Sequence, residues 1–323
     1  GQMPVTQAVN AANAFLATLT AQQKSVAVYA FNDDKQRANW SNFPTGIVQR
    51  GGIKLGDLSA EQRSAAMKLL STVLSPKGYE KIQQIMDADE VLKQTDSGAQ
   101  GRLLFGKDLY YISFLGQPST TTPWLLQFGG HHLALNITIA GARGILTPTL
   151  TGAQPALYTA NGKTIRPLGA ENDKAVALLK SLDAGQQKQA ILSSRLADLV
   201  LGPGQDNKTI QPEGLKAASM NEQQRAQLLD LIAEWSGIIH DAEAATRMAE
   251  IKAGINDTWF AWSGPTDVTA GKNISSYYRI QGPQLVIEFA PQTGGRQGGD
   301  PTMHIHTMYR DPTNDYARKL IAK

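Results

Sequence analysis

The stretch GIKLGDLSAEQRSAAMKLL at residues 52–70 returns as GLKAASMNEQQRAQLLDLI at residues 214–232, 162 positions further on. Ser59 and Gln62 have the spacing of a capping box, in which a hydroxyl and an amide satisfy the free N–H groups that open a helix. Behind it, Ala66, Leu69, Leu70 and Val73 fall at helical spacing, as do Leu228, Leu231, Ile232 and Trp235 in the second copy. The correspondence extends outward in both directions. Upstream, LTAQQKSVAVYAF from Leu19 is matched by LDAGQQKQAILSS from Leu182, with Thr20 and Asp183 as candidate N-caps. Downstream, DLYYISFLG from Asp108 parallels DTWFAWSGP from Asp257, and LLQFGGHHLALNIT from Leu125 parallels YYRIQGPQLVIEFA from Tyr277. Last, ILTPTLTGAQPALY from Ile145 parallels MHIHTMYRDPTNDY from Met303, with Pro155 near Pro312 and Tyr158 opposite Tyr316.

An ordered series across helices and strands predicts internal duplication, with a first half at residues 1–160 and a second at 161–323 joined near 159–175. In each half helices precede three alternating strands bounded by Gly and Pro. That order predicts an α+β fold with antiparallel sheet, the halves packing as one unit.

Bulk properties exclude several functions. The chain has 323 residues, 41% hydrophobic and 18% charged, which suits a folded globular protein. Its net charge of +3 is small and no Lys/Arg block interleaves with aromatics, so no nucleic-acid partner is expected. No apolar run approaches the roughly 20 residues that span a membrane. Cysteine is absent, which removes thiolate metal sites and cysteine nucleophiles. The start GQMPVTQAVNAANAFL lacks a basic segment and a signal core, as expected of a mature secreted or periplasmic protein after signal removal.

Four of the five histidines form two tight pairs, His131-His132 and His304-x-His306. Imidazole is the commonest metal ligand and titrates near neutral pH. On a strand, residues i and i+2 share a face, so His304 and His306 can chelate one ion together. By the same rule His131 and His132 diverge. His131 then lies with the apolar Leu133, Leu135 and Ile137, as a ligand or as a partly buried structural residue, while His132 lies on the polar face. Glu288, in the position that Asn136 holds in the first half, is a carboxylate in an apolar strand and is costly to bury unless paired. Convergence of His132, Glu288, His304 and His306 predicts a site for one transition-metal ion, zinc, copper, manganese or iron. Glu288, Arg310 and Asp311 are the candidate catalytic residues, Glu288 to move protons, Arg310 and Asp311 to anchor a ligand or orient a histidine. Asp311-Pro312 and Asn314-Asp315 also read as plain turn formers. His240 reads as a helix-surface residue. The Gly-rich stretch at 292–301 reads as a flexible loop beside the HxH strand. Tyr110, Tyr111, Trp124, Trp259, Trp262, Tyr277 and Tyr278 either line a cleft for ring compounds or fill the core. GxGxxG before a helix, the P-loop, HExxH and GxSxG are all missing.

With FGGHHLALN, TPTLTGAQP and HIHTMYRDPTNDYA in view, the chain resembles the family catalogued as domain of unknown function 3500, from about Thr18 to Ala317. The resemblance implies export and places weight on His131, His132, His304, His306, Arg310 and Asp311. It also marks Ala317 as a departure, at a position where the family tends to carry glycine. The combined expectation is an exported, metal-dependent enzyme, hydrolytic or redox, acting on a small molecule or saccharide. The alternatives are a non-catalytic metal- or ligand-binding protein and a metal-free interaction module. Free imidazole has a pKa near 6.5, so metal affinity is expected to fall as pH drops through about 6 to 5.

Overall fold

The computed structural model describes residues 3–95, 104–292 and 299–322. Most of the Gly-rich stretch, 293–298, lies outside them. Along the chain run α1 (Val5–Ala17), α2 (Ala21–Ala27), β1 (Val28–Tyr29), α3 (Asp34–Arg37), β2 (Ile53–Lys54), α4 (Ala60–Val73) and α5 (Pro76–Thr95). Then come β3 (Tyr111–Leu115), β4 (Trp124–Gly130), β5 (Leu133–Ala140), β6 (Arg143–Ile145), β7 (Thr149–Ala153), β8 (Tyr158–Ala160) and β9 (Lys163–Ile165). A second helical run follows: α6 (Gly169–Ser181), α7 (Ala184–Ala190), β10 (Leu215–Lys216), α8 (Glu222–Ser236) and α9 (Asp241–Ala253). The chain closes with β11 (Trp259–Ser263), β12 (Tyr277–Gly282), β13 (Leu285–Pro291), β14 (Ile305–Arg310) and α10 (Arg318–Ile321).

The fold is α+β, with a large, mostly antiparallel sheet. Its order is β1-β3-β4-β5-β7-β14-β13-β12-β11-β10, with β2 beside β3 and β6 beside β5. The sheet is therefore continuous across β7 and β14, where Leu150 stands opposite Met308. Each run has four long strands in this sheet where three were expected. The expected pairing of Asp108 with Asp257 is also one residue out: β3 begins at Tyr111 and β11 at Trp259, each followed by a positive-φ glycine, Gly116 and Gly264.

The helices form where the caps predict. Thr20, Ser59, Asp183 and Asn221 each close a full capping box with the Gln three residues on. The cap glutamines then bond one another: Gln62 Nε2 donates to Gln23 Oε1 at 2.9 Å, and Gln186 Nε2 to Gln224 Oε1 at 2.9 Å. One face of the sheet packs on the helices through Leu133, Leu135, Ile137 and Ile139 of β5 and their counterparts. Trp124, Trp262, Tyr110, Tyr277 and Tyr278 are fully buried, as the core alternative requires.

The other face carries polar residues and is covered by the long segments 30–52 and 192–214. Trp40 and Leu199 pack there on Ala134, Leu150 and Met308. Gln127 Nε2 donates to the Gln36 and Arg37 carbonyls, at 3.3 and 3.0 Å. Glu288 receives the backbone N–H groups of Val200 and Leu201, at 2.7 and 2.8 Å.

Candidate metal centre

His131 and His132 are not strand residues. They are the two turn residues of the β4–β5 hairpin, whose last pair is Gly130 with Leu133. His132 has φ 62°, in the left-handed region. That conformation costs an L-residue about 1 kcal/mol and is held only where the surroundings dictate it. Here the His132 N–H donates to the Asn42 carbonyl at 3.1 Å and its own carbonyl accepts from Gly152 N at 2.7 Å. Face alternation therefore does not separate the pair. The two rings stack with centroids 3.8 Å apart.

The turn meets the beginning of β14. His304 precedes the strand, His306 is its second residue, and both imidazoles reach His132. His132 Nε2 lies 2.9 Å from His304 Nε2. Ring centroids are 4.8 Å apart for His132 and His304 and 5.0 Å for both His132–His306 and His304–His306. One ring nitrogen from each of the three lies within 4.8 Å of the others. Gly152, paired with His306, leaves the space: a Cβ there would stand 3.3 Å from His132 Cβ and Cδ2 and 2.6 Å from the Ile305 carbonyl oxygen.

These histidines fit a metal. Burial, followed by the neighbouring imidazoles, pushes His132 well below its ordinary pKa and His304 down to about 3. Burial also lowers His306, against the pull of Asp198. All three are neutral at pH 7, the form that coordinates. Around a tetrahedral ion with bonds of about 2.0–2.1 Å, ligand nitrogens sit roughly 3.3 Å apart; the His132–His304 pair is at 2.9 Å and all three lie within 4.8 Å.

His131 stands beside this triad, not in it. Its Nδ1 is 2.6 Å from the Asp89 carboxylate, and its ring lies between His132 and Phe105, 5.1 Å away. Asp89 also accepts from Gly106 N at 2.6 Å. Asp198 Oδ1 is 3.3 Å from His306 Nδ1, and the Asn42 amide is 3.3 Å from both nitrogens of that ring. Burial raises the Asp198 pKa, but its hydrogen bond and charge contact with His306 outweigh this and lower it overall. Asn42 and Asp198 come from the two covering segments and carry no sequence motif. Asp89 does leave a signal: it occupies the apolar stripe of α5 with Ile82, Ile85 and Leu92.

The structure does not bring Glu288, Arg310 or Asp311 to the imidazoles. Glu288 is fully buried under the second covering segment, and Tyr277 donates to it at 2.6 Å. Arg310 clamps that segment through the Leu201 and Gly202 carbonyls, at 2.7 and 2.8 Å, and through Asp206 at 2.8 Å. Asp311 faces Arg247 at 3.3 Å and caps its own turn by accepting from Thr313 N. Their expected convergence fails because Glu288 and Arg310, although on the same face of the sheet as His306, lie further along it, where backbone groups of the covering segment use their charges. His240 is partly exposed and is the N-cap of its helix, its Nδ1 accepting from Ala242 N at 3.1 Å.

The triad lines a cavity of about 480 Å³ shared with Phe43, Pro44, Leu92, Phe105, Pro155 and Met303. None of the seven aromatics named from the sequence lines it. Among the described residues no helix is long and apolar enough to cross a membrane.

The chain belongs to the family described as "Protein of unknown function (DUF3500)", which matches residues 1–318. No curated protein and no solved structure matches it.

Proposed function

We propose that the chain is an exported metal-dependent enzyme in which His132, His304 and His306 hold one transition-metal ion. The observation that carries this is three clustered imidazoles, gathered from two distant segments, at the wall of a cavity large enough for a small molecule or saccharide. Three protein ligands facing a cavity match a catalytic ion, whereas a structural ion is usually closed by four. Once bound, the ion supplies Lewis acidity to an oxygen in the cavity. Asp198 holds His306 and lines the cavity with a partly exposed carboxylate, so it is the group placed to take a proton in a hydrolytic reaction. Glu288, Arg310 and Asp311 are proposed to act on the site only through the fold.

We also propose that the two runs of elements are copies of one unit, organised as halves 1–160 and 161–323. In support, aligning 145–158 on 303–316 makes Leu150 equivalent to Met308, and these two residues face each other across the central ladder. The equivalent of the His131-His132 turn is Pro283-Gln284, and His304 and His306 correspond to Leu146 and Pro148, so the site is shared between the halves and its symmetry-related position holds no imidazole.

Elemental analysis of untagged protein after reconstitution with zinc, copper, manganese and iron tests the function. One ion per chain, lost in His304→Ala, is the expected result. No stoichiometric metal with any of the four contradicts it.

A further inference from the structure

The cavity beside the imidazoles has a lopsided lining. On the reading just proposed, we infer that its substrate is an uncharged molecule with a ring or similar apolar face, presenting an oxygen donor to the ion.

Phe43, Pro44, Leu92, Phe105, Pro155 and Met303 give the cavity a largely apolar wall. Phe43 keeps 52% of its surface exposed, although a large apolar side chain gains by being covered. It sits next to Asn42, the residue that touches His306, and lines the same cavity as the imidazoles. Apart from the histidines, the charged residues among the described lining are acids, Asp198 and Asp300. Asp300 is already used, accepting from Thr302 N and Oγ1. An anionic group away from the ion would meet these carboxylates. Gln154 also lines the cavity, and its amide has both a donor and an acceptor. Apolar walls with a few polar groups are the usual make-up of a site for a small organic molecule.

The test uses the Co(II)-loaded protein and three hydroxamates with the same chelating head, read by the shift of the cobalt visible bands on titration. Acetohydroxamate carries a methyl, benzohydroxamate a ring, and 4-carboxybenzohydroxamate the ring with an added charge. Benzohydroxamate should bind about tenfold more tightly than acetohydroxamate, because the ring adds apolar area to bury against the wall. That preference should shrink severalfold in Phe43→Ala, a half-exposed position whose loss leaves the core intact. The added carboxylate should weaken binding about tenfold. Equal affinity for the methyl and ring compounds, or a preference unchanged by Phe43→Ala, overturns the apolar-face inference. Equal or tighter binding of the carboxylate overturns the uncharged one. In either case the metal reading stands. A wild-type protein that takes up no cobalt sinks both, and metal content measured beforehand separates that case.

Discussion

At the scale of single residues, His131 decides how the centre is understood. The Asp89 contact and the Phe105–His131–His132 stack make it a support for the His132 ring. Outer partners of this kind are worth about 10–100-fold in metal affinity. His131→Ala should therefore weaken zinc binding by that order, while His131→Phe, which keeps a stacking ring, should retain most of it. Isothermal titration checks this. Equal losses in both variants, as large as in His132→Ala, would make His131 a ligand instead. Gly152→Ala should also weaken binding, because the new methyl lands between His132 and the Ile305 carbonyl. The HxH pair was legible because i and i+2 share a face on any extended chain. The HH pair was misread because two turn residues, one at positive φ, do not obey strand alternation. Ala317, the departure noted from the family, also has φ 58°, where glycine is at ease.

Among the elements, the helix caps were the clearest message in the sequence: the Ser59 capping box and the Thr20 and Asp183 N-caps are present, and Asn221 adds a fourth. Their cross-linking through glutamine amides was not visible, because it depends on how α2 meets α4 and how α7 meets α8. Gln224 is buried, and its amide donates to Ser181 O at 2.7 Å. Gln224→Ala should cost about 1–2 kcal/mol in urea unfolding, from a lost cap and an unpaired carbonyl. The exposed neighbour substitution Gln223→Ala should cost almost nothing, and equal costs would refute the role assigned to the amide pair. Arg310 is the counterpart on the other face of the sheet. Arg310→Ala takes the cationic partner from Asp206 and Asp315, which keep only Tyr316 OH and Asp311 N, and a donor from two carbonyls, and should cost about 3–5 kcal/mol. Metal affinity of the folded fraction should stay unchanged. Specific loss of metal binding at unchanged stability would return Arg310 to the site. Glu288 looked catalytic because a carboxylate in an apolar strand is costly to bury, and Arg310 because it directly follows the HxH motif. Their partners are backbone groups of a segment without regular structure, which sequence periodicity does not locate.

For the whole molecule, burying three imidazoles shapes the response to pH. Each has a folded pKa below the unfolded value of about 6.5. Below pH 6.5 these three positions thus bind more protons in the unfolded chain than in the folded one, whereas burial raises Asp315 to about 6 and also lifts Glu171 and Glu288, which take up protons first in the folded chain. The stability that the neutral imidazoles contribute to the metal-free fold should be lost as pH falls from about 6.5 towards the value near 3 of His304. Thermal unfolding across this range should show a shallower slope in His304→Gln, and an unchanged slope would count against the buried neutral cluster. The same depression moves the expected fall in metal affinity below the window of 6 to 5 that free imidazole suggests, because the protons that compete are bound only at lower pH.

The most direct test of the central claim is metal stoichiometry by elemental analysis across five forms of the untagged, zinc-reconstituted protein: wild type and the Ala variants of His132, His304, His306 and His240. One zinc per chain in the wild type and His240→Ala, with loss in each of the other three, is the predicted result. Full occupancy in all five, or none in the wild type, would contradict a centre built from His132, His304 and His306.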